Sequence, residues 1–388
     1  MNVIISAGGK FHAFKLAQQL HRAGNLHSLF TFDYTRRDQA TIPPHKVYNA
    51  TACKLFNQLI LRLRLARFID KNRLNRIKDN AFDYLISRKL NHVDKIDLFV
   101  VWAHYAQRSI PVARAKGAKI IVESGSCHIQ TQQQLLEAEY HRWAITAPPI
   151  HPRIIQKMTG EYAQADYIMT LSHFARQSFL DHGFAPGHVL LAPCGVDVDF
   201  FYNPQRSTPS KFRVMFVGLV TLRKGVQYLI QAWQKAGLPA HATELVIAGA
   251  INKDFASITS RLPITPNITF TGPVNRTALR TLYNQASLFV LPSIEDGFGM
   301  VIGEAMASGL PVICSSHTAG PDLITEGTEG FIVEPGDVDT LANKIRWSYE
   351  HQEQAIAMGT KGMERIAAFT WDNYGNAVQK LYRQVLAS

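Results

Sequence analysis

Cysteine is scarce in this sequence, with four residues in a chain of 388. Cys53, Cys127, Cys194 and Cys314 have no C-x-x-C spacing, so we do not expect a zinc site built from cysteine. They are also too few and too scattered to form a disulfide framework. No Asp-x-Asp pair lies at a predicted strand end, and no His, Cys and carboxylate cluster has metal-ligand spacing. We therefore expect no metal site and no resident cofactor.

Long apolar runs are absent as well. None approaches the roughly 20 residues that a membrane-spanning helix needs. The N-terminal segment Met1–Gly9 has no basic region, and its apolar run is too short for a secretory signal. The expectation is a soluble, reduced, cytoplasmic protein.

Acidic residues are outnumbered, with 30 Asp and Glu against 41 Lys and Arg, which gives a formal charge of +11. Such a balance favours phosphate-bearing ligands, anionic lipid or nucleic acid without choosing among them. Basic residues are concentrated between positions 54 and 89, where only three aspartates oppose ten of them. This segment is either a solvated helix face that covers a sheet or an interfacial helix that binds anionic lipid. In the second case the protein would be peripherally attached to the inner face of the cytoplasmic membrane.

Short apolar runs alternate with amphipathic stretches, which is typical of parallel sheets covered by helices on both faces. The strands predicted in the first half are Asn2–Ser6, one before Asp33, Asp97–Trp102, Lys119–Val122, Tyr167–Leu171 and Val189–Leu191. The pattern then starts afresh with Phe212–Val217, Glu244–Ala248, Asn267–Phe270, Ala286–Leu291, Val312–Cys314 and Gly330–Val333.

The fold class is therefore α/β, with two Rossmann-like parallel-sheet domains in tandem. Aperiodic sequence punctuated by proline places the junction between residues 193 and 206. We expect domains over residues 1–197 and 198–370, followed by one helix over 371–388 that packs back on the first domain.

The most informative stretch is a loop that joins a predicted strand to a helix. Two carboxylates, Glu295 and Asp296, precede Gly297-Phe298-Gly299, and a helix begins near Met300 and ends at Gly309. Glycines give a ligand access to backbone amides, and a helix N-terminus offers free N–H donors and partial positive charge to a phosphate. Glu304 lies about one turn into the helix.

These residues resemble a motif of the retaining nucleotide-sugar glycosyltransferases of family 4, which have the GT-B fold of two facing domains. The family pattern is E-G-F-G-x-x-x-x-E-A-M-A-x-G-x-P-V, and here its first glutamate falls on Asp296 and its second on Glu304. The resemblance implies that the first carboxylate and the loop amides, through Gly297, Phe298, Gly299, Met300 and Val301, hold the donor sugar. Glu304 would hold the nucleotide ribose. Whether Glu295 or Asp296 contacts the sugar stays open.

A second motif matches the same family. Val217-Gly218-Leu219 and Lys224-Gly225 resemble its V-G-R-L-x-x-x-K-G stretch, with Lys224 on the diphosphate-binding lysine. Leu219 replaces the family's arginine, and Arg223 is the candidate for the missing cation. Cations at a helix start oppose the helix dipole, and a bound diphosphate would account for them.

The first half is expected to carry the acceptor. Its candidate cleft residues follow predicted strands, where ligands bind in open parallel sheets. They are Gly8, Gly9, His12, His104, Glu123 and His128. His128 resembles, loosely, a histidine that contacts the sugar in many family members.

The resemblance implies a metal-independent enzyme that moves a hexose-type sugar from a nucleotide diphosphate to a hydroxyl of a glycan or lipid-linked glycan, as in lipopolysaccharide or other polysaccharide synthesis. Three alternatives remain. A nucleotide-sugar binder with little or no activity is motivated by Asp296 and Leu219. A dinucleotide-dependent oxidoreductase is disfavoured because Gly8-Gly9 lacks the G-x-G-x-x-G pattern. A nucleic-acid-binding protein is motivated by charge alone, and no nucleic-acid motif supports it.

Overall fold

A computed structural model describes residues 1–53, 55, 71–203 and 209–388. Two parallel sheets form its centre. The strands of the first are β1 Val3–Ser6, β2 Leu26–Thr31, β3 Val47–Asn49, β4 Leu98–Trp102, β5 Lys119–Glu123, β6 Tyr167–Thr170 and β7 Val189–Leu191. Those of the second are β8 Phe212–Val217, β9 Thr243–Ala248, β10 Ile268–Gly272, β11 Leu288–Leu291, β12 Val312–Ser315 and β13 Gly330–Val333.

Helices connect and cover these strands. Those of the first half are α1 Ala13–Arg22, α2 Lys71–Leu90, α3 Ser109–Ala115, α4 Ile129–Arg142, α5 Pro152–Ala163, α6 His173–Asp181 and α7 Val198–Phe201. Those of the second half are α8 Val226–Ala236, α9 Lys253–Ala256, α10 Arg276–Asn284, α11 Met300–Ala307, α12 Gly320–Leu323, α13 Val338–Glu350, α14 Gln352–Ile366 and α15 Trp371–Ala387. Short 3-10 turns lie at Arg36–Ala40, Pro44–Lys46, Pro186–His188, Leu222–Lys224 and Thr259–Arg261.

The sheets confirm the predicted fold class. Their strand orders are β3-β2-β1-β4-β5-β6-β7 and β10-β9-β8-β11-β12-β13, with parallel pairing. The central strand Leu98–Trp102 is apolar and buried over all five residues, as expected where helices cover both faces of a sheet. Each order reverses beside its first strand, between β1 and β4 and between β8 and β11, and such switch points are where open sheets bind ligands.

The final helix joins the two halves. Helix α15 begins at Trp371, capped by the side chain of Thr370, and packs against α1. The Gln19 side chain donates to Asp372 at 2.7 Å, and Asn25 donates to Gln379 at 2.8 Å. A Cβ on Gly375 would lie 2.6 Å from the Gln19 side chain, so the two helices approach closely here.

The basic segment 54–89 lies only partly within the described residues, since 54 and 56–70 fall outside them. Its described part forms most of α2, whose Asn80 accepts from Lys157 of α5 at 2.8 Å. Among the helices described here, we find none with the length and apolar character to cross a bilayer.

Candidate functional site

A cavity of about 480 Å³ lies between the two sheets, where the carboxyl ends of their strands face each other. Residues at the carboxyl ends of β4 and β5 and in the loops after β1, β4 and β5 contribute to one wall, and residues at the ends of β8 and β11 and in the loops that follow them contribute to the other. The candidates that line it are His12, His104, Glu123, Gly218, Arg223, Lys224, Asp296, Phe298, Gly299, Met300 and Val301. The topology thus brings together residues that are almost 300 positions apart.

The loop that carries the cations is fixed by backbone geometry. Residues Leu222–Lys224 form a 3-10 turn that ends at Gly225, whose φ is +70°. A Cβ at this position would lie 1.9 Å from the carbonyl oxygen of Pro292, so glycine is required. This close approach sets Arg223 and Lys224 beside the carboxylates that follow β11.

Each of these neighbouring cations pairs with one of the neighbouring carboxylates. The Lys224 ammonium forms an ion pair with Asp296 that lies in the cavity wall. Burial by itself would raise the pKa of Asp296, but Lys224 and Arg223 hold it below its usual value. Asp296 is therefore ionised at neutral pH.

Glu295 points away from the cavity and into the interface between the two halves. Its carboxylate is fully buried and accepts from Arg223 Nε at 2.6 Å, from Gln132 Nε2 at 2.6 Å and from the Cys127 backbone N–H at 3.1 Å. Two of these three donors belong to the first half of the chain. Glu295 therefore connects the halves, while Asp296 faces the cavity.

Helix α11 directs its N-terminus at the same cavity. It begins after Gly299, whose φ of +77° suits glycine, and its first-turn residues Met300 and Val301 line the wall. The first N–H groups of a helix have no partner within it, and with the helix dipole they attract anions. An ammonium group and a helix N-terminus thus meet in one cavity.

Glu304 lies behind this first turn and does not line the cavity. It accepts from the Tyr283 hydroxyl at 3.1 Å, and burial raises its pKa to about 7. Gly297 lies at the contact between the halves, where a Cβ would come within 2.2 Å of the Gly125 carbonyl oxygen.

The opposite wall carries a buried acid and histidine. Glu123 Oε2 lies 3.3 Å from His12 Nε2, and Glu123 Oε1 has no hydrogen-bond partner in the described part of the chain. His104 has a left-handed backbone, with a φ of +85°, and burial together with nearby Lys157 lowers its pKa to about 4. Both histidines and Glu123 face the cavity.

Three first-half candidates lie elsewhere. His128 caps α4 by accepting the Gln130 N–H at 3.3 Å, and its ring stacks on His182 with centroids 3.9 Å apart. Burial lowers the pKa of His128 to about 4, so it is a neutral packing residue outside the cavity. Gly8 and Gly9 do not line the cavity either, and a Cβ on Gly8 would lie 2.5 Å from the Tyr105 ring.

Sequence reasoning missed several cavity residues, among them Phe11, Trp102, Tyr105, Ser124 and Ser126. Trp102 ends β4, Tyr105, Ser124 and Ser126 follow β4 and β5 within three residues, and Phe11 lies in the loop between β1 and α1. A position at or shortly after a strand end was the signal that could have found them. The four cysteines are buried and free, and in the described part of the chain no three His, Cys, Asp or Glu side chains are grouped to hold a metal.

Comparison with known families agrees with this architecture. The family model described as Glycosyltransferase Family 4 matches residues 7–200, half of the chain, and the model described as Glycosyl transferases group 1 matches residues 211–351. The chain therefore belongs to glycosyltransferase family 4, as its motifs predict.

Two curated relatives illustrate the similarity. An uncharacterised glycosyltransferase of Methanocaldococcus jannaschii is 31% identical over 175 residues, 44% of each chain. The O-antigen chain mannosyltransferase B of Escherichia coli is 26% identical over 247 residues, 59% of this chain and 64% of that protein. The chain thus spans less than two thirds of the length of these relatives.

Two solved structures share the fold over the whole chain. Sucrose-phosphate synthase from Thermosynechococcus elongatus superposes with a TM-score of 0.74 at 20% identity, covering 100% of both chains. HepE of Anabaena, solved with UDP-glucose, has a TM-score of 0.65 at 14% identity, covering 99% of this chain and 100% of that one. These neighbours show the GT-B arrangement that the resemblance implies.

Proposed function

We propose that this protein is a glycosyltransferase that moves a hexose-type sugar from a nucleotide diphosphate donor to a hydroxyl of a glycan or lipid-linked glycan. The observation that carries the proposal is the cavity wall in which Lys224, Asp296 and the N-terminus of α11 meet. Family membership supports it, and so does the HepE neighbour, which was solved with a nucleotide sugar.

The donor is proposed to lie along the second-half wall. Its diphosphate would replace Asp296 as the ion-pair partner of Lys224 and accept hydrogen bonds from backbone N–H groups in the first turn of α11. Both the ammonium group and the helix dipole favour negative charge there. Asp296, released from Lys224, would accept from sugar hydroxyls. We assign this role to Asp296 because Glu295 is buried against the other half. Glu304, behind the first turn of α11, would accept hydrogen bonds from the hydroxyl groups of the nucleotide ribose.

The chemical difficulty is the charge of the leaving group. As the bond between the anomeric carbon and the diphosphate breaks, negative charge develops on the diphosphate and the sugar becomes oxocarbenium-like. Lys224 and the N-terminus of α11 line the wall where we propose that the diphosphate binds, and losing one such contact typically costs about 10²–10³ in rate. Family resemblance implies retention, with the acceptor hydroxyl attacking from the side that the diphosphate leaves.

The first-half wall would receive the sugar and the acceptor. Glu123 lies in this wall, where its Oε1 is buried and has no hydrogen-bond partner within the described residues, while its Oε2 lies 3.3 Å from His12 Nε2. Closure of the two halves would exclude water that otherwise hydrolyses the donor.

We propose that the basic segment 54–89 brings the protein to an anionic membrane surface that carries lipid-linked acceptors. Co-sedimentation with vesicles that contain or lack anionic lipid tests this, and equal binding to both would contradict it.

A thermal-shift panel of UDP, GDP, ADP and dTDP tests the donor site. One nucleotide at about 100 times its Kd should stabilise the protein by roughly 2.7 kcal/mol. Lys224→Gln should lose this stabilisation, whereas Lys235→Gln, which removes an exposed ion pair with Asp339 in the same half, should keep it.

The outcomes separate the alternatives. Stabilisation by none of the four nucleotides, with or without Mg²⁺, would overturn the proposal. Binding of a nucleotide sugar without any transfer or hydrolysis would instead favour the binding-protein alternative. With an active preparation, proton NMR of the first product gives its anomeric configuration, and inversion would refute the proposed retention.

A further inference from the structure

A second cavity opens beside the cleft on the first half of the chain. Its volume is about 560 Å³, and its walls come from α2, α5 and the loop after β4. Phe11, His104 and Tyr105 line both this cavity and the one between the sheets. The second cavity is therefore a side chamber of the cleft, and a molecule seated in it would extend toward the proposed donor site.

The side chamber has an excess of positive charge. Arg76, Arg153 and Lys157 line it, and Asp79 is the one acid that opposes them among the described lining residues. Asp79 is largely buried, and burial raises its pKa above the usual value although Lys78 and Lys157 counteract this. A ligand that carries an anionic group would balance the remaining charge.

The three cations differ in how far they are already engaged. Lys157 donates to Asn80 at 2.8 Å, and Arg76 contacts the His151 ring at 2.8 Å. For the Arg153 guanidinium, no hydrogen bond or ion pair occurs within the described ranges, and this residue is exposed at the chamber. Arg153 is thus free to bind an anion without breaking an existing contact.

The other lining groups suit a sugar. Side-chain amides of Asn75, Asn80, Gln107 and Gln156 surround the chamber and supply both donors and acceptors for hydroxyl groups. Phe11 presents an aromatic side chain that is 61% exposed at the junction with the cleft. An exposed aromatic face beside several amides offers a sugar ring both apolar contact and hydrogen bonds.

The backbone at this junction is held in an uncommon conformation. Phe11 has a φ of +31° and His104 a φ of +85°, and bulky residues seldom adopt such values. The His104 loop is fixed by Glu161, which accepts from the backbone N–H groups of His104 at 2.6 Å and Ala106 at 2.9 Å. Conformations of this kind are concentrated at ligand sites, where surrounding contacts maintain them.

We propose that the side chamber binds the acceptor as a sugar bearing a phosphate or carboxylate group, with Arg153 and Arg76 on the anion and Phe11 on the ring. This inference rests on the proposed transferase function, because it names the acceptor of that reaction. The acceptor extends past Phe11 and His104, which line both cavities, so that its hydroxyl lies next to the donor sugar. Its oxygen forms the bond to the anomeric carbon as the bond to the diphosphate breaks, and its proton leaves with the nucleoside diphosphate.

Binding measurements on the full chain, saturated with the nucleotide found in the thermal-shift panel, test the inference. Saturation keeps charged sugars out of the donor site. The probes are glucose 6-phosphate, glucose 1-phosphate, glucuronate, glucose and inorganic phosphate. At least one charged sugar should bind about tenfold or more tightly than both glucose and inorganic phosphate, the effect of one charge-assisted contact. If no charged sugar exceeds glucose, or if inorganic phosphate binds as well as the charged sugars, the inference is overturned.

Variants localise the effect. Arg153→Gln and Arg76→Gln should each weaken the charged sugar about tenfold and leave nucleotide binding unchanged. Arg114→Gln is the matched control, since Arg114 pairs with Asp166 away from the chamber. Phe11→Ala should weaken the charged sugar without altering the affinity for inorganic phosphate. Unchanged affinity for the charged sugar in both arginine variants would refute the acceptor site. If the wild-type protein binds none of the nucleotides, the proposed function is refuted instead.

Discussion

Glu295 makes a contact between the two halves whose loss should be measurable as stability. The perturbation is Glu295→Gln, which keeps size and shape and removes the charge. Oε2 of Glu295 accepts from Gln132 and from Arg223, each at 2.6 Å. If the amide nitrogen of glutamine takes that position, two donors face a third donor and both hydrogen bonds are lost.

The expected cost follows from those two bonds. Hydrogen bonds to a charged group contribute about 1.5–3 kcal/mol each. The Arg223 side chain is 33% exposed and can regain water, so its share is smaller than that of buried Gln132. We therefore expect the variant to be less stable by about 3 kcal/mol.

Urea unfolding followed by tryptophan fluorescence measures this cost at pH 7.5. The loss should appear in the first unfolding transition, because the contact disappears as soon as either half unfolds. Glu304→Gln is the matched control, since it changes the same residue type nine positions later within one half. At pH 7.5 this variant should be at least as stable as the wild type, by up to about 3 kcal/mol, because burial makes the Glu304 charge unfavourable. A difference between the two variants below about 1 kcal/mol would refute the assigned role of Glu295.

Two further predictions concern the same region. Gly297→Ala would place a Cβ 2.2 Å from the Gly125 carbonyl oxygen, so we expect a cost of about 1–3 kcal/mol and a larger radius of gyration in solution scattering, whereas Gly125→Ala meets nothing within 4 Å and should match wild type. For Glu304, folding raises the pKa from 4.5 to about 7, so the folded state retains a proton that the unfolded state loses. Wild-type stability should thus fall relative to Glu304→Gln by up to about 3 kcal/mol as pH rises from about 4.5 to 7, and a constant difference would contradict this.

Much of the fold was predictable because parallel strands that are covered on both faces leave a strong pattern. Strands such as β4 are uninterrupted apolar runs between helices, and their positions agree with the prediction. The exception is β3, three half-buried residues at the sheet edge that follow a 3-10 turn at Pro44–Lys46. Strand β3 forms because it pairs with β2, and the sequence has no apolar run at this position that would predict a strand.

The candidate site was predictable where its geometry is local. Lys224, Gly299 and the start of α11 follow from short loops whose glycines and helix boundary are visible in the sequence. The position of His128 was not visible, since its surroundings come from α5 and α6 and from the segment around Phe184. Position after a strand correctly placed His12, His104 and Glu123 at the cavity, but it did not distinguish them from His128, whose side chain packs elsewhere.

The pairing of Glu295 and Asp296 shows how tertiary contacts divide two neighbours that a sequence motif treats alike. Gln132 lies 163 positions before Glu295, and only the meeting of α4 with the loop after β11 gives Glu295 this partner. Both cations line the cavity, but Arg223 binds Glu295 at the interface between the halves, whereas Lys224 binds Asp296 in the cavity wall. Arg223 is therefore a weaker substitute for the family's missing arginine than adjacency to Lys224 implies, because a diphosphate that engaged its Nε would have to displace a buried carboxylate. Ligand affinity should consequently depend on Lys224, and the relative arrangement of the two halves on Arg223.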